Sequence, residues 1–247
     1  MSVGIIGGTG LTALDGLEIH HREVVSTPFG EPSAPLIHGT FRGHDVTFLA
    51  RHGHDHTIPP HQVNYRANIW ALRQAGVERV IAVAAVGGVT DAYAPRRLAI
   101  PDQIIDYTHG RASTFYEQGY EQGLDHVTHI DFTYPYDAEV RSWLLQAAHE
   151  AQVAVIDGGT YGATQGPRLE TAAEIRRMAQ EGCDLVGMTG MPEAALAREA
   201  GLRYAHCAVV ANWAAGLGSG EELSMDEIRD HLTYGMEAVR SIIARLP

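Results

Sequence analysis

Cysteine is nearly absent: Cys183 and Cys207 are the only two in 247 residues. Two cysteines make no disulfide framework, which excludes the small stapled secreted scaffolds and implies a reducing compartment, the cytoplasm. Positive charge is also scarce. Eighteen basic against thirty acidic residues leave a net charge of −12. That balance is poor for wrapping nucleic acid, although a few aimed donors still suffice to hold one phosphate. No apolar run reaches about 18 residues, so no segment is expected to cross a membrane. The opening MSVGIIGGTG lacks a basic stretch and reads as a first strand rather than a signal peptide. There is no Gly-Lys phosphate loop, no convincing cysteine nucleophile and no convincing Ser–His–Asp arrangement. What is abundant is glycine, with 27 residues, and histidine, with 14. The first predicts many tight turns. With 45% hydrophobic and 19% charged residues, the chain can bury a full core and is not disordered.

Short β-branched apolar runs alternate with amphipathic stretches. Residues 3–6, 45–50, 79–86, 153–158, 185–188 and 204–211 read as strands, and 79–86 (RVIAVAAV) has the unbroken apolar character of a central strand covered on both faces. Pro101 makes 98–106 irregular or an edge. Helices are expected over 63–75, 137–152, 171–180, 192–200 and 224–245, the last opening with Ser224 as N-cap and Glu227 three residues on, a capping box. The alternation predicts one three-layer α/β domain over residues 1–247, with a central mixed, mostly parallel sheet flanked by helices. The stretch from about 107 to 136, rich in Tyr, His, Gly and Gln, reads as a long surface excursion.

Five constellations follow a strand or open a helix. In open α/β sheets ligands bind beyond the carboxyl ends of strands, so the five can converge there. Gly7-Gly8-Thr9-Gly10 offers backbone N–H groups and a hydroxyl to an anion, or is a plain tight turn. Gly8, Gly10 and Ala13 loosely fit a dinucleotide fingerprint, but the following residues lack helical periodicity. Arg51-His52-Gly53-His54-Asp55-His56 combines a planar donor fork with imidazoles. In an extended backbone His52, His54 and His56 share a face, with His61 nearby, as a metal would need. No partner at fixed spacing supports that, and an oxyanion site or solvated loop histidines are the other readings. Glu170, in Gly166-Pro167-Arg168-Leu169-Glu170-Thr171, either favours a helix N-terminus or accepts from a ligand N–H. Thr189, in Met188-Thr189-Gly190-Met191-Pro192-Glu193, is either a simple N-cap or an anion donor at a helix start, and Met188 is either core or a flat floor under a sugar. Asn212, after the 204–211 strand, is either a turn former or an amide aimed at a heterocycle.

The stretches VGIIGGTGL (3–11), TPFGEPS (27–33), ARHG (50–53), VNYRANIWAL (63–72), GPRLET (166–171) and MTGMPE (188–193) together resemble the trimeric nucleoside phosphorylase family. That family contains the methylthioadenosine phosphorylases and the trimeric purine nucleoside phosphorylases. The stretches span nearly the whole chain in the family's order. TPFGEPS and residues 51–72 are most similar to the methylthioadenosine branch.

The resemblance implies a homotrimeric pentosyltransferase in which inorganic phosphate, as co-substrate, attacks C1′ of a nucleoside and the base leaves. It implies neither metal nor organic cofactor. Thr9, Arg51, His52 and Thr189, with the Ala84–Ala85 backbone, are expected to hold phosphate. Family members carry a hydroxyl or another small residue near Ala84, so only main-chain contacts are expected there. Met188 is expected against the ribose, and Leu169 in the substrate set. At the base the chain departs from the methylthioadenosine branch, with Asn212 and Ala214 where that branch has aspartates. The 6-oxopurine branch has Asn at the first of these and Glu at the position of Glu170. An amide donates to O6 and accepts from N7–H, and Glu170 accepts from N1–H, which adenine lacks. Buried polar groups left unpaired make such a site reject the wrong base. At the 5′ end, spacing gives about Met225, near Leu223, where a polar residue would hold a 5′-hydroxyl. His56 and His129 match the methylthio branch, His129 from a neighbouring subunit. The expected substrate therefore joins a 6-oxopurine base to a 5′-methylthio group. The neighbouring readings are methylthioadenosine with relaxed base use and inosine or guanosine. A dinucleotide-dependent oxidoreductase is the reading from another class.

Overall fold

The computed structural model describes residues 3–116, 128–218 and 225–247. Eleven strands and five α-helices follow in the order β1 (Val3–Gly7), β2 (Glu18–Glu23), β3 (Leu36–Phe41), β4 (His44–Ala50), α1 (Tyr65–Gln74), β5 (Arg79–Gly88), β6 (Leu98–Ile100), β7 (Gln103–Asp106), α2 (Ala138–Glu150), β8 (Val155–Asp157), β9 (Thr160–Ala163), α3 (Ala172–Gln180), β10 (Leu185–Gly187), α4 (Gly190–Glu199), β11 (Arg203–Trp213) and α5 (Met225–Ile243). Helices α2 and α3 start where side chains provide acceptors for their first N–H groups. Asp137 accepts from the Val140 N–H at the start of α2, and Thr171 and Glu174 form a reciprocal capping box at α3. The box expected at Ser224 lies outside the described residues.

β5 organises the sheet. Along one edge β11 runs parallel to it from Arg203↔Arg79 to Trp213↔Gly88. Along the other, β1 pairs in parallel only from Val3↔Arg79 to Ile6↔Ala82, and β10 joins antiparallel at Gly88 and Gly87. Among the described residues no strand claims that edge between Ala82 and Gly87, so the sheet forks there. β4, β1, β5 and β11 are mutually parallel, so their carboxyl ends emerge on one side. β2 and β3 extend the sheet antiparallel beyond β4. The break at Pro101 separates β6, which pairs β11 and β8, from β7, which pairs β9. Of the ten pairings six are parallel.

Alternation along β5 divides the core. Val80, Ala82, Ala84 and Val86 pack with Ile69 and Leu72 of α1 and with Ala194 and Leu196 of α4. Ile81 and Val83 face the other way, with Val140 and Leu144 of α2 and Leu232, Met236 and Val239 of α5. Both faces of the central strand are covered, as its apolar run required. The candidate dinucleotide fingerprint has no helix behind it: residues 8–17 are turns and irregular chain. No helix among the described residues is long and apolar enough to cross a membrane.

Candidate active site

The fork opens into a cavity of about 530 Å³. The ends of β1, β4, β5 and β11 supply Thr9, Arg51–His52, Ala84–Gly87 and Asn212 to its wall, and β10, arriving antiparallel to β5, leads into Met188 and Thr189. The carboxyl-end rule thus places four of these segments, and the fifth comes from the reversed strand.

One end of the cavity gathers the donors that an anion would need. Gly8 is there because nothing larger fits: a Cβ would lie 2.6 Å from the Val83 carbonyl oxygen and 2.8 Å from Arg51 Nη1. The sequence carries no lysine, so the fixed positive charge is arginine. Arg51 Nη1 donates to the Val83 oxygen at 3.0 Å, one of the backbone groups that the fork leaves without a strand. Its Nε and Nη2 donate to both oxygens of Glu193 at 2.6 and 2.8 Å, and both side chains are fully buried. Burial opposes the charge, but the Glu193 carboxylate outweighs it and holds the guanidinium pKa above its ordinary value. Tyr204 donates to Glu193 Oε1 at 2.7 Å, and His206 lies 3.3 Å from the Tyr204 hydroxyl and 3.2 Å from that of Tyr136. A buried polar network thus backs the arginine from behind.

His52 Nδ1 lies 2.8 Å from the Ile58 carbonyl oxygen, which can only accept. The proton is therefore on Nδ1, and Nε2 of the neutral ring carries the lone pair. Burial, with Arg51 adding to it, pushes the His52 pKa down to about 4. Burial lowers that of His206 as well. Below about pH 6.5 the unfolded chain takes up protons that these native histidines refuse, so stability falls as pH drops from about 6.5 to about 4. His52 alone contributes on the order of 3 kcal/mol of that loss. Urea midpoints at pH 7.5 and pH 5 measure the slope, and His52→Gln is expected to flatten it. An unchanged slope in that variant would assign the acid sensitivity elsewhere.

Thr189 occupies the N-cap position of α4, yet its side chain makes no capping hydrogen bond, and Met191 is not helical, so the simple-cap reading does not hold. Its N–H donates instead to the Tyr161 hydroxyl at 3.3 Å. Thr9 Oγ1 lies 3.4 Å from His56 Nε2. Residues 51–56 turn rather than extend β4, so His52, His54 and His56 do not share a strand face.

The opposite end suits a planar heterocycle. β11 has a register irregularity between Val210 and Asn212, and the bulge at Ala211 turns Asn212 into the cavity. One N–H of its amide goes to the Trp213 oxygen at 2.6 Å, which leaves the second N–H and Oδ1 for a ligand. Glu170 Oε1 accepts from Thr164 Oγ1 at 2.6 Å, with Oε2 remaining. Leu169 and Ala214 complete this side, Leu169 at an exposed rim.

The helix α5 contributes Ile228 and Leu232 to the wall. Spacing put the 5′ contact at about Met225, the first residue of α5. The wall residues lie about one and two turns further along. Leu223 is outside the described residues. His129 is exposed and does not line the cavity of its own chain. The other twelve candidates, Thr9, Arg51, His52, His56, Ala84, Ala85, Leu169, Glu170, Met188, Thr189, Asn212 and Ala214, all do. Sequence reasoning gave Glu193 no role beyond a helix first turn, and it did not find Tyr204 or His206. A glutamate beside Pro192 in an apolar context was the one available signal. Its partner lies 142 residues away.

A family model described as the phosphorylase superfamily matches residues 2–246. A probable S-methyl-5′-thioinosine phosphorylase of Xanthomonas campestris pv. campestris is 53% identical over 100% of this chain and 97% of its own length. The 6-oxopurine nucleoside phosphorylase of Pyrococcus furiosus is 45% identical over 99% and 92%. Among solved structures, methylthioadenosine phosphorylase from Schistosoma mansoni in complex with adenine superposes with a TM-score of 0.93 at 33% identity, covering 99% of this chain and 90% of that one.

Proposed function

The chain belongs to the phosphorylase superfamily, and on that premise we propose that it cleaves S-methyl-5′-thioinosine with inorganic phosphate. The products are hypoxanthine and S-methyl-5-thioribose 1-phosphate. The observation that carries this reading is that Asn212 and Glu170 share one cavity with Arg51 and Thr189 and with the apolar Ile228 and Leu232.

Phosphate sits against Arg51, the hydroxyls of Thr9 and Thr189 and the backbone of Ala84–Ala85. The lone pair on Nε2 of neutral His52 accepts a hydrogen bond from the P–OH of hydrogen phosphate. A phosphate oxygen attacks C1′ as the C1′–N9 bond breaks, and the bonding pair passes into the base. Positive charge develops on the ribose beside a held anion, which stabilises the transition state electrostatically. Met188 lies under the sugar. N7 gains a proton from solvent as the base leaves. Asn212 accepts that N7–H at Oδ1 and donates to O6, while Glu170 accepts N1–H. The methylthio group rests on Ile228 and Leu232, where a 5′-hydroxyl would lack a partner from these two residues. No organic cofactor or metal takes part in this scheme.

Residues 1–247 act as one nucleoside phosphorylase domain. The working unit is a homotrimer in which His129 of a neighbouring subunit approaches the 5′ pocket. Both cysteines are free and buried, in keeping with a cytoplasmic location.

A second reading, a 6-oxopurine nucleoside with a 5′-hydroxyl, is supported by the Pyrococcus furiosus relative. Phosphate-dependent cleavage of methylthioinosine, methylthioadenosine and inosine at equal concentration separates the readings. Methylthioinosine is expected to be preferred by orders of magnitude. Preference for methylthioadenosine overturns the base assignment, and preference for inosine overturns the 5′ assignment.

A further inference from the structure

At the outer edge of the sheet, away from the cavity, β2 pairs among the described residues only with β3, and His21 stands directly opposite His38. Their rings are stacked at 4.4 Å with 8° between planes. Glu23, two residues beyond His21 and so on the same strand face, places Oε2 2.9 Å from His38 Nε2. The hydroxyl of Thr47 on β4 lies 3.2 Å from His38 Nδ1. One ligand atom from each of His21, Glu23 and His38 lies within 4.8 Å of the others.

We propose that His21, Glu23 and His38 bind a divalent zinc-class cation, with water in the fourth position. Two imidazoles and one carboxylate suit zinc and its late first-row neighbours rather than magnesium or calcium, which take oxygen ligands. Zinc–ligand distances of about 2.0–2.2 Å put tetrahedral neighbours roughly 3.4 Å apart. The present spread therefore closes by side-chain rotation. His21 is exposed and Glu23 is 40% exposed, so both are free to swing, whereas His38, at 17%, is held.

Thr47 makes the site workable in both states. Without metal, His38 Nε2–H donates to Glu23, and Nδ1 accepts from the Thr47 hydroxyl. With metal, Nε2 gives up its lone pair, the proton moves to Nδ1, and the same hydroxyl accepts it. A backbone carbonyl could serve only the second state. Such a partner behind a ligating histidine fixes its tautomer and its orientation. The bound cation clips the exposed edge strand β2 to the rest of the sheet.

The test titrates the full chain, freed of metal by a chelator, with Zn²⁺ against a chromogenic indicator, and repeats it with variants. One tight equivalent is expected for the parent. About tenfold or greater weakening is expected in His21→Ala and Glu23→Gln, since removing even a partner behind a metal ligand costs about tenfold or more. A Zn²⁺-dependent rise in Tm should vanish in the same two variants. His54→Ala, an exposed histidine on another loop, is expected to bind as the parent does. His21 is exposed, so its replacement does not threaten folding. No tight equivalent in the parent, or identical titrations for parent and His21→Ala, overturns the proposal. Phosphorolysis is measured alongside and is expected to be unchanged in these variants. The metal site and the phosphorolysis reading therefore stand or fall separately.

Discussion

Glu193→Ala is expected to destabilise the protein by about 3–5 kcal/mol, the usual cost of breaking a buried ion pair by removing one partner. At roughly 2–4 °C per kcal/mol for a chain of this size, Tm falls by about 6–20 °C. The reason is local. Arg51 is fully buried and gives three of its donors to Glu193 and the Val83 carbonyl. Without Glu193 a charged guanidinium stays behind with no carboxylate, and Tyr204 loses its acceptor as well. Glu193→Gln keeps an acceptor for one Arg51 donor and for Tyr204, so a smaller loss is expected. Thermal and urea unfolding of both variants checks this. A parent-like Tm for Glu193→Ala would mean that another group already balances Arg51.

Asn212→Asp is expected to move the ratio of kcat/KM for 6-amino over 6-oxo substrates by about 10³-fold, below the 10⁴–10⁵ that fully hydrogen-bonded sites reach between matched and mismatched ligands. In the proposed complex the amide donates to O6 with the N–H that Trp213 does not use. A carboxylate turns a lone pair towards the same oxygen and repels it. In its protonated form the acid accepts from N6 of adenine and donates to N7, which reverses the preference. Side-by-side phosphorolysis of methylthioinosine and methylthioadenosine by the variant reads the ratio directly. A ratio equal to the parent's would remove Asn212 from base selection. Glu170 stays in place in this variant, so the size of the residual 6-oxo preference reports its share.

The strands and helices that carry strong period or capping chemistry were legible in the sequence. β5 is an unbroken apolar run, α2 has Asp137 ahead of it, and α3 has its reciprocal box. β2 was not legible because it alternates nothing: Glu-Ile-His-His-Arg-Glu has no buried residue along its length. Its pairing with β3 is fixed by partners elsewhere, not by a hydrophobic face. β9, Thr-Tyr-Gly-Ala behind two glycines, is too short to show a period. The convergence of Thr9, Arg51 and Thr189 on one cavity was readable because these residues sit beside strand ends with chemistry of their own. The support behind it was not readable. Glu193, Tyr204 and His206 acquire meaning only once β11 and α4 lie beside β4. Ile228 and Leu232 were not readable as cavity wall, because the turn of α5 that faces inward is set by its packing on β11.

The forked strand also bears on how the molecule comes together. The end of the cavity proposed to hold phosphate draws on residues near positions 9, 51, 84 and 189, and the arginine meets its carboxylate across 142 positions of chain. Pairings this distant in sequence must close large loops before they return any energy, which makes them slow steps in folding. As the ribosome delivers the chain, β1, β4 and β5 exist well before β10, α4 and β11. Until those arrive, Arg51 has no carboxylate to bury against and stays in water. The phosphate site proposed above is therefore completed late and all at once, and it marks the completed fold rather than any partly assembled sheet.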